Sequence, residues 1–135
     1  MSDAIWALQR AIYQRLSAAP AMQALIGAPA RIYDDPPEGA EMPYLVIGPT
    51  QVSDWAGVDR GLQHDLRLHV FSVYAGRREV KQITGAVYDA LHDADFALDG
   101  HRLVNIRFVF ADAVRRRDGG AYQGVMRYRA VTQPL

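Results

Sequence analysis

The chain has 135 residues, half of them hydrophobic and 22% charged, with 15 basic and 15 acidic side chains in balance and no cysteine. That length suits a single domain, 1–135, burying about two thirds of its unfolded surface, and the composition is too apolar for intrinsic disorder. Zero net charge removes the bulk positive potential behind non-specific nucleic-acid binding, while the absence of cysteine excludes disulfides, thiolate metal sites and a cysteine nucleophile.

The N-terminal stretch MSDAIWALQRAIYQRL breaks its apolar residues with charges and glutamines, unlike the continuous core of a signal peptide. No run of about eighteen apolar residues marks a membrane span. The expectation is a protein that is made and stays soluble, and the lack of disulfides suits a bacterial or host cytosol.

Ile5, Leu8, Ile12 and Leu16 recur at helical spacing and predict a first helix over 3–17, with Ser2 as N-cap and Asp3 in the first turn. Pro20 fits the start of a short second helix reaching Ile26, which Gly27 closes in a left-handed conformation before Pro29 stops it. Arg31, Ile32 and Tyr33 read as a short extended segment. Pro36, Pro37 and Pro43 then stiffen the acidic stretch RIYDDPPEGAEMPYLVIG and hold it extended. Tyr44, Leu45, Val46 and Ile47 form a strand ending at Gly48-Pro49.

A polar stretch with Trp55, Gly57 and Gly61 predicts a long hairpin loop or irregular flap. Over 62–74, Leu62, Leu66, Leu68 and Val70 line one face of a half-buried strand, alternating with Gln63, Asp65, Arg67 and His69. Gly76 opens a helix whose stripe of Val80, Ile83, Val87, Ala90 and Leu91 opposes Arg78, Lys81 and Asp89. Asp99-Gly100 turns into a strand over 102–114, in which Val104, Ile106, Phe108, Phe110 and Val114 are expected to share a face. Asp118-Gly119-Gly120 reverses the chain into a last strand over 122–131. The predicted fold is α+β: a mainly antiparallel sheet of about four to five strands with two or three helices packed on one face.

Chemistry is hard to find in this pattern. His64 and His69 lie five apart in one strand and so on opposite faces, His92 sits at a helix end and His101 just past a turn, which predicts structural histidines and no metal site. Asp34, Asp35, Glu38 and Glu41 could supply an acid and a base, but flanking prolines and glycine argue for a solvated, rigid connector. Neither G-x-S-x-G nor G-x-x-x-x-G-K-[ST] occurs. Arg115, Arg116 and Arg117 form the only basic run along the sequence, at a hairpin tip without an aromatic platform. Trp55 reads either as an interface anchor or as an indole folded back on its own sheet.

RIYDDPPEGAEMPYLVIG, the DW of the flap, HDLRLHVFSVYAGRREVKQITGAVYDAL and YQGVMRYRA together resemble the tail terminator (tail completion) proteins of long-tailed bacteriophages and gene transfer agents. The resemblance spans residues 5–130. Its most specific parts are the Pro-Tyr strand entry and the L-x-L-x-V-x-S strand that runs into a glycine and a helix. It implies a non-enzymatic virion protein without cofactor, metal or membrane partner. Such a subunit forms a hexameric ring at the head-proximal end of the tail tube, ends tube polymerisation and joins a head-completion or stopper protein. DNA passes transiently through the channel, and assembly takes place in the host cytoplasm.

Ring closure needs two complementary patches on each subunit. The candidates are Asp34, Asp35, Glu38 and Glu41, the Trp55 flap, and Arg115, Arg116 and Arg117, with the acidic segment meeting the arginine hairpin of a neighbour or tail partner. A channel-wall position for the arginines stays open. So do a head-completion or tube-like role, and a small ligand-binding or enzymatic domain using the acidic segment with His64 or His69.

Overall fold

A computed structural model describes residues 2–73, 76–116 and 121–135. The Ser2 side chain, Tyr74, Arg117 and the expected Asp118-Gly119-Gly120 turn lie outside the described residues.

Helix α1 (Ser2–Ala18) turns Ala4, Ala7, Leu8, Ala11, Ile12 and Leu16 into the core, so three alanines join the predicted stripe while Ile5 is only half-buried. Helix α2 (Pro20–Ile26) carries its proline in the first turn, where no N–H is missed, and buries Met22 and Ile26. Gly27 ends it with φ 94° and ψ 168°, a positive φ as expected but an extended ψ, and the turn over 27–30 closes where the Arg31 N–H donates to Ile26 O.

Strand β1 (Ile32–Tyr33) pairs parallel with β2 (Tyr44–Ile47), Ile32 opposite Leu45. The sheet is therefore mixed, where an antiparallel arrangement was the broad expectation. Because β1 is so short, the loop over 34–43 suffices to return the chain to the same end, and no crossover helix is needed. A second correction concerns residues 51–55. They form strand β3 (Gln51–Trp55), antiparallel to β4 (Gly61–Ser72), instead of an irregular flap. Among its residues only Val52 is half-buried, so no apolar alternation announced it. β2 and β3 lie end to end along one edge of β4, and β6 (Tyr122–Pro134) and β5 (His101–Arg115) extend the other side. The sheet thus has six strands, against the four to five expected.

Helix α3 (Arg78–Leu91) lays Val80, Ile83, Val87 and Leu91 on the sheet, and α1 and α2 pack beside it. The core lies between this helical layer and one face of the sheet, around Leu45, Leu68, Val70, Ile106, Met126 and Tyr128. Burying each large aliphatic side chain contributes about 1.5–3 kcal/mol. Gly124 lets α3 come close: a Cβ there would lie 2.6 Å from Cγ1 of Val80. Tyr88, Phe108 and Tyr128 meet edge to face at 5.4 and 5.6 Å.

The long strand β5 departs from prediction in a way that matters for function. Its register against β6 slips twice, once between Leu103 and Asn105 and once between Phe108 and Phe110, so Val104 and Val109 are extra residues. Each bulge reverses the alternation. Leu103, Ile106 and Phe108 face the core, but Phe110 and Val114 emerge on the opposite face, each 41% exposed. The five residues expected on one side are split between two.

Candidate functional site

Among the described residues no helix covers the second face of the sheet, and the registers define what it displays. Asp65, Arg67, His69 and Phe71 of β4 alternate with buried Leu66, Leu68 and Val70. In β6, Arg127 and Arg129 alternate with buried Met126, Tyr128 and Ala130. Cross-strand pairing then places Arg67 opposite Arg127, and Arg129 between Asp65 and Arg107. Four arginines that are scattered along the sequence become one patch. The signal was present in the alternation M-R-Y-R-A and L-R-L, but only the register brings the two strands and β5 together.

Apolar groups share this face. Phe110 lies under the Arg127 guanidinium, 5.9 Å from its carbon to the ring centre. Val109 is 43% exposed. Trp55 is on the same side, since it pairs with Gly61 at the end of β4. Its indole folds back over its own turn, close enough that a Cβ on Gly57 would lie 2.6 Å from Nε1, yet 36% of the residue stays exposed. Trp55, Val109, Arg107 and Arg129 line a shallow groove floored by buried Val131.

Of the predicted arginine hairpin, Arg116 reaches the same surface, whereas Arg115 falls on the helical side of the sheet with Tyr122. Arg115 is exposed at the end of β5, paired with Tyr122. Arg116 places its guanidinium 5.4 Å above the Phe71 ring, and its backbone N–H donates to Ala121 O at 2.8 Å. Phe71 continues through Tyr44 (5.2 Å) to Tyr33 (5.6 Å), the residue directly before the acidic segment. This aromatic row crosses β4, β2 and β1 between Arg116 and the base of the acidic segment.

The acidic segment is a clamped loop. Arg31 ties its base: the Nε–H donates to Pro43 O at 2.9 Å, the Arg31 N–H donates to Ile26 O, and Leu45 N–H donates to Arg31 O. Gly27 makes room, because a Cβ there would lie 2.7 Å from Nη1 of Arg31. Beyond this clamp Asp34, Asp35, Glu38 and Glu41 are exposed. Glu41 reaches Arg31 only at 4.0 Å with its side chain 80% exposed, an ion pair worth little in water.

The histidines are engaged in the fold. His64 is fully buried on the helical face, its Nε2 2.9 Å from Thr132 Oγ1, and its Nδ1 finds no partner among the described residues. Burial, then the neighbouring His101, lowers its pKa to about 4, with Asp65 opposing. His69 stands on the open face beside Gln123, its pKa lowered by partial burial and then by Arg67. His92 accepts the Phe108 N–H at Nδ1 and stacks on Tyr88, and His101 bonds to Asp99 O. His64 is sealed on one side of the sheet while the acidic segment projects from an edge, so the two do not converge. No group of three or more His, Asp or Glu among the described residues is placed to hold a metal ion.

No curated protein matches the chain. Among solved structures it is similar to a chain from the virion of a native gene transfer agent particle, at 34% identity and a TM-score of 0.85, covering 95% of this chain and 96% of that one. The family model described as tail completion protein gp17 matches residues 10–133, which take in nearly the whole β-sheet, α2, α3 and the second half of α1. The chain belongs to the tail completion protein gp17 family.

Proposed function

We propose that this chain, acting as one domain over 1–135, is the terminator subunit of a phage-like tail. Six copies close a ring on the head-proximal end of the tail tube, stop its polymerisation and present a platform to the head-completion or stopper protein. DNA crosses the channel transiently. Subunits assemble in the host cytoplasm, and the role is structural, without substrate turnover or cofactor.

The observation that carries this reading is the two-sidedness of the subunit. Among the described residues helices occupy one face of the sheet and leave the other open, and a clamped acidic loop stands at the β1 edge. Head-to-tail closure requires two such unlike patches on each copy. The candidates for them are the acidic residues Asp34, Asp35, Glu38 and Glu41, the Trp55 segment, and the sequence run Arg115, Arg116 and Arg117. A structural role also suits the ionisable groups. His64 and Tyr128, both held uncharged by burial, are sealed in the core out of reach of any substrate. No helix among the described residues is long and apolar enough to cross a membrane.

Electron microscopy of particles made without this protein tests the reading. Overlong or unjoined tails are the expected result; tails of normal length joined to heads would refute it.

A further inference from the structure

Among the described residues nothing covers the open sheet face. It presents Arg67, Arg107, Arg127 and Arg129 together with the exposed aromatic groups Trp55 and Phe110. Like charges directly opposite in a sheet are unfavourable, and Arg67 faces Arg127 while Arg107 faces Arg129. Asp65, directly opposite Arg129, offsets part of this, and Arg107 reaches Asp93 at 3.7 Å with both side chains more than half exposed, a weak pair in water.

The complement is on the same chain. Residues 34–41 hold four carboxylates and two consecutive prolines and no basic residue. Proline-rich segments dock on aromatic-lined grooves because their extended shape is already set, and carboxylates pair with guanidinium groups through charge-assisted bonds. The Arg31 clamp fixes the base of the segment before docking, which lowers the ordering cost. Within one subunit the segment lies beyond β1, at the opposite edge of the sheet from β5, so its match is with another copy.

We infer that residues 34–41 of one copy dock on the open sheet face of the next, their carboxylates on Arg107, Arg129 and neighbouring arginines and their prolines against Trp55 and Phe110. The inference rests on the ring reading and adds strand arginines to the hairpin arginines as the acidic segment's receptor. A nucleic-acid role for this face is the weaker match. Phosphates have no use for exposed indole, phenyl and valyl groups, and Asp65 and Asp112 stand among the arginines.

A charge swap in assembled particles decides it. Arg107→Glu with Arg129→Glu, and separately Asp34→Arg with Asp35→Arg, should each lower DNA-delivering particles about tenfold or more, and all four changes together should restore them substantially. All four positions are exposed, and a melting curve close to that of the unchanged protein establishes folding. Arg107→Gln with Arg129→Gln serves as a milder second variant and should give a smaller loss in the same direction. A four-fold variant no better than the worse pair would overturn the docking. So would harmless acidic variants combined with arginine variants that keep tails joined but lose DNA delivery, since the face would then touch DNA. Failure of the ring reading looks different: tails of normal length and attachment when the protein is missing altogether.

Discussion

Lowering the pH should unfold this protein through one buried ring. In the folded state His64 has its pKa lowered from 6.5 to about 4, chiefly by burial. A second proton would also leave the N–H of Nδ1 without an acceptor. The unfolded chain, with an ordinary imidazole, takes up that proton first. Stability from this site is therefore complete above about pH 6.5 and is lost as the pH falls toward 4. A difference of two to three pKa units corresponds to about 3 kcal/mol, a large share of a typical domain's stability. Urea unfolding read by tryptophan fluorescence should show a midpoint lower by about 1–2 M at pH 4 than at pH 7.5. His64→Gln retains an amide that can reach Thr132 and removes the titration, so its midpoint should fall much less, with a residual slope from His69, which is shifted in the same direction. An unchanged pH slope in His64→Gln, or a His64 ring that titrates near pH 6.5 by NMR, would refute the reasoning.

Packing and backbone predictions follow from the same geometry. Gly124→Ala drives a methyl against Val80 and should cost about 1–3 kcal/mol, and adding Val80→Ala should recover part of it in a double-mutant cycle of urea midpoints. Tyr128→Phe deletes a buried hydroxyl that has no partner among the described residues, so thermal melting should find it neutral or more stable by up to about 1 kcal/mol. Arg31→Ala removes the bond to Pro43 and should cost about 1 kcal/mol; limited proteolysis should then cut within 34–42 faster while the sheet persists.

The helices and the L-x-L-x-V-x-S strand were legible because burial there is one-sided and the period is unbroken. Leu66, Leu68 and Val70 alternate cleanly, and Val80, Ile83, Val87 and Leu91 keep one stripe. β5 was legible as a strand but not as a surface. Val109 is as apolar as its neighbours, so nothing in the residues shows that it is an extra one, and the side chains after it change sides unannounced. β3 was missed because a mostly exposed strand obtains its order from backbone pairing to β4, which has no side-chain signature. The arginine patch is the same lesson at longer range: Arg67, Arg107 and Arg129 are far apart along the chain, and only strand register unites them. The acidic loop, by contrast, was readable as a rigid connector from its prolines, whereas its anchor at Arg31 depends on a side chain folding back onto Pro43.

The facing guanidinium groups make dissolved ions act in two directions at once. Chloride gathered over Arg67 and Arg127 quiets a repulsion that an isolated subunit must otherwise tolerate, so brine should raise its melting point. The same ions would blunt any carboxylate arriving from a neighbour, so a buffer that keeps single copies sturdy is one in which they are slow to join.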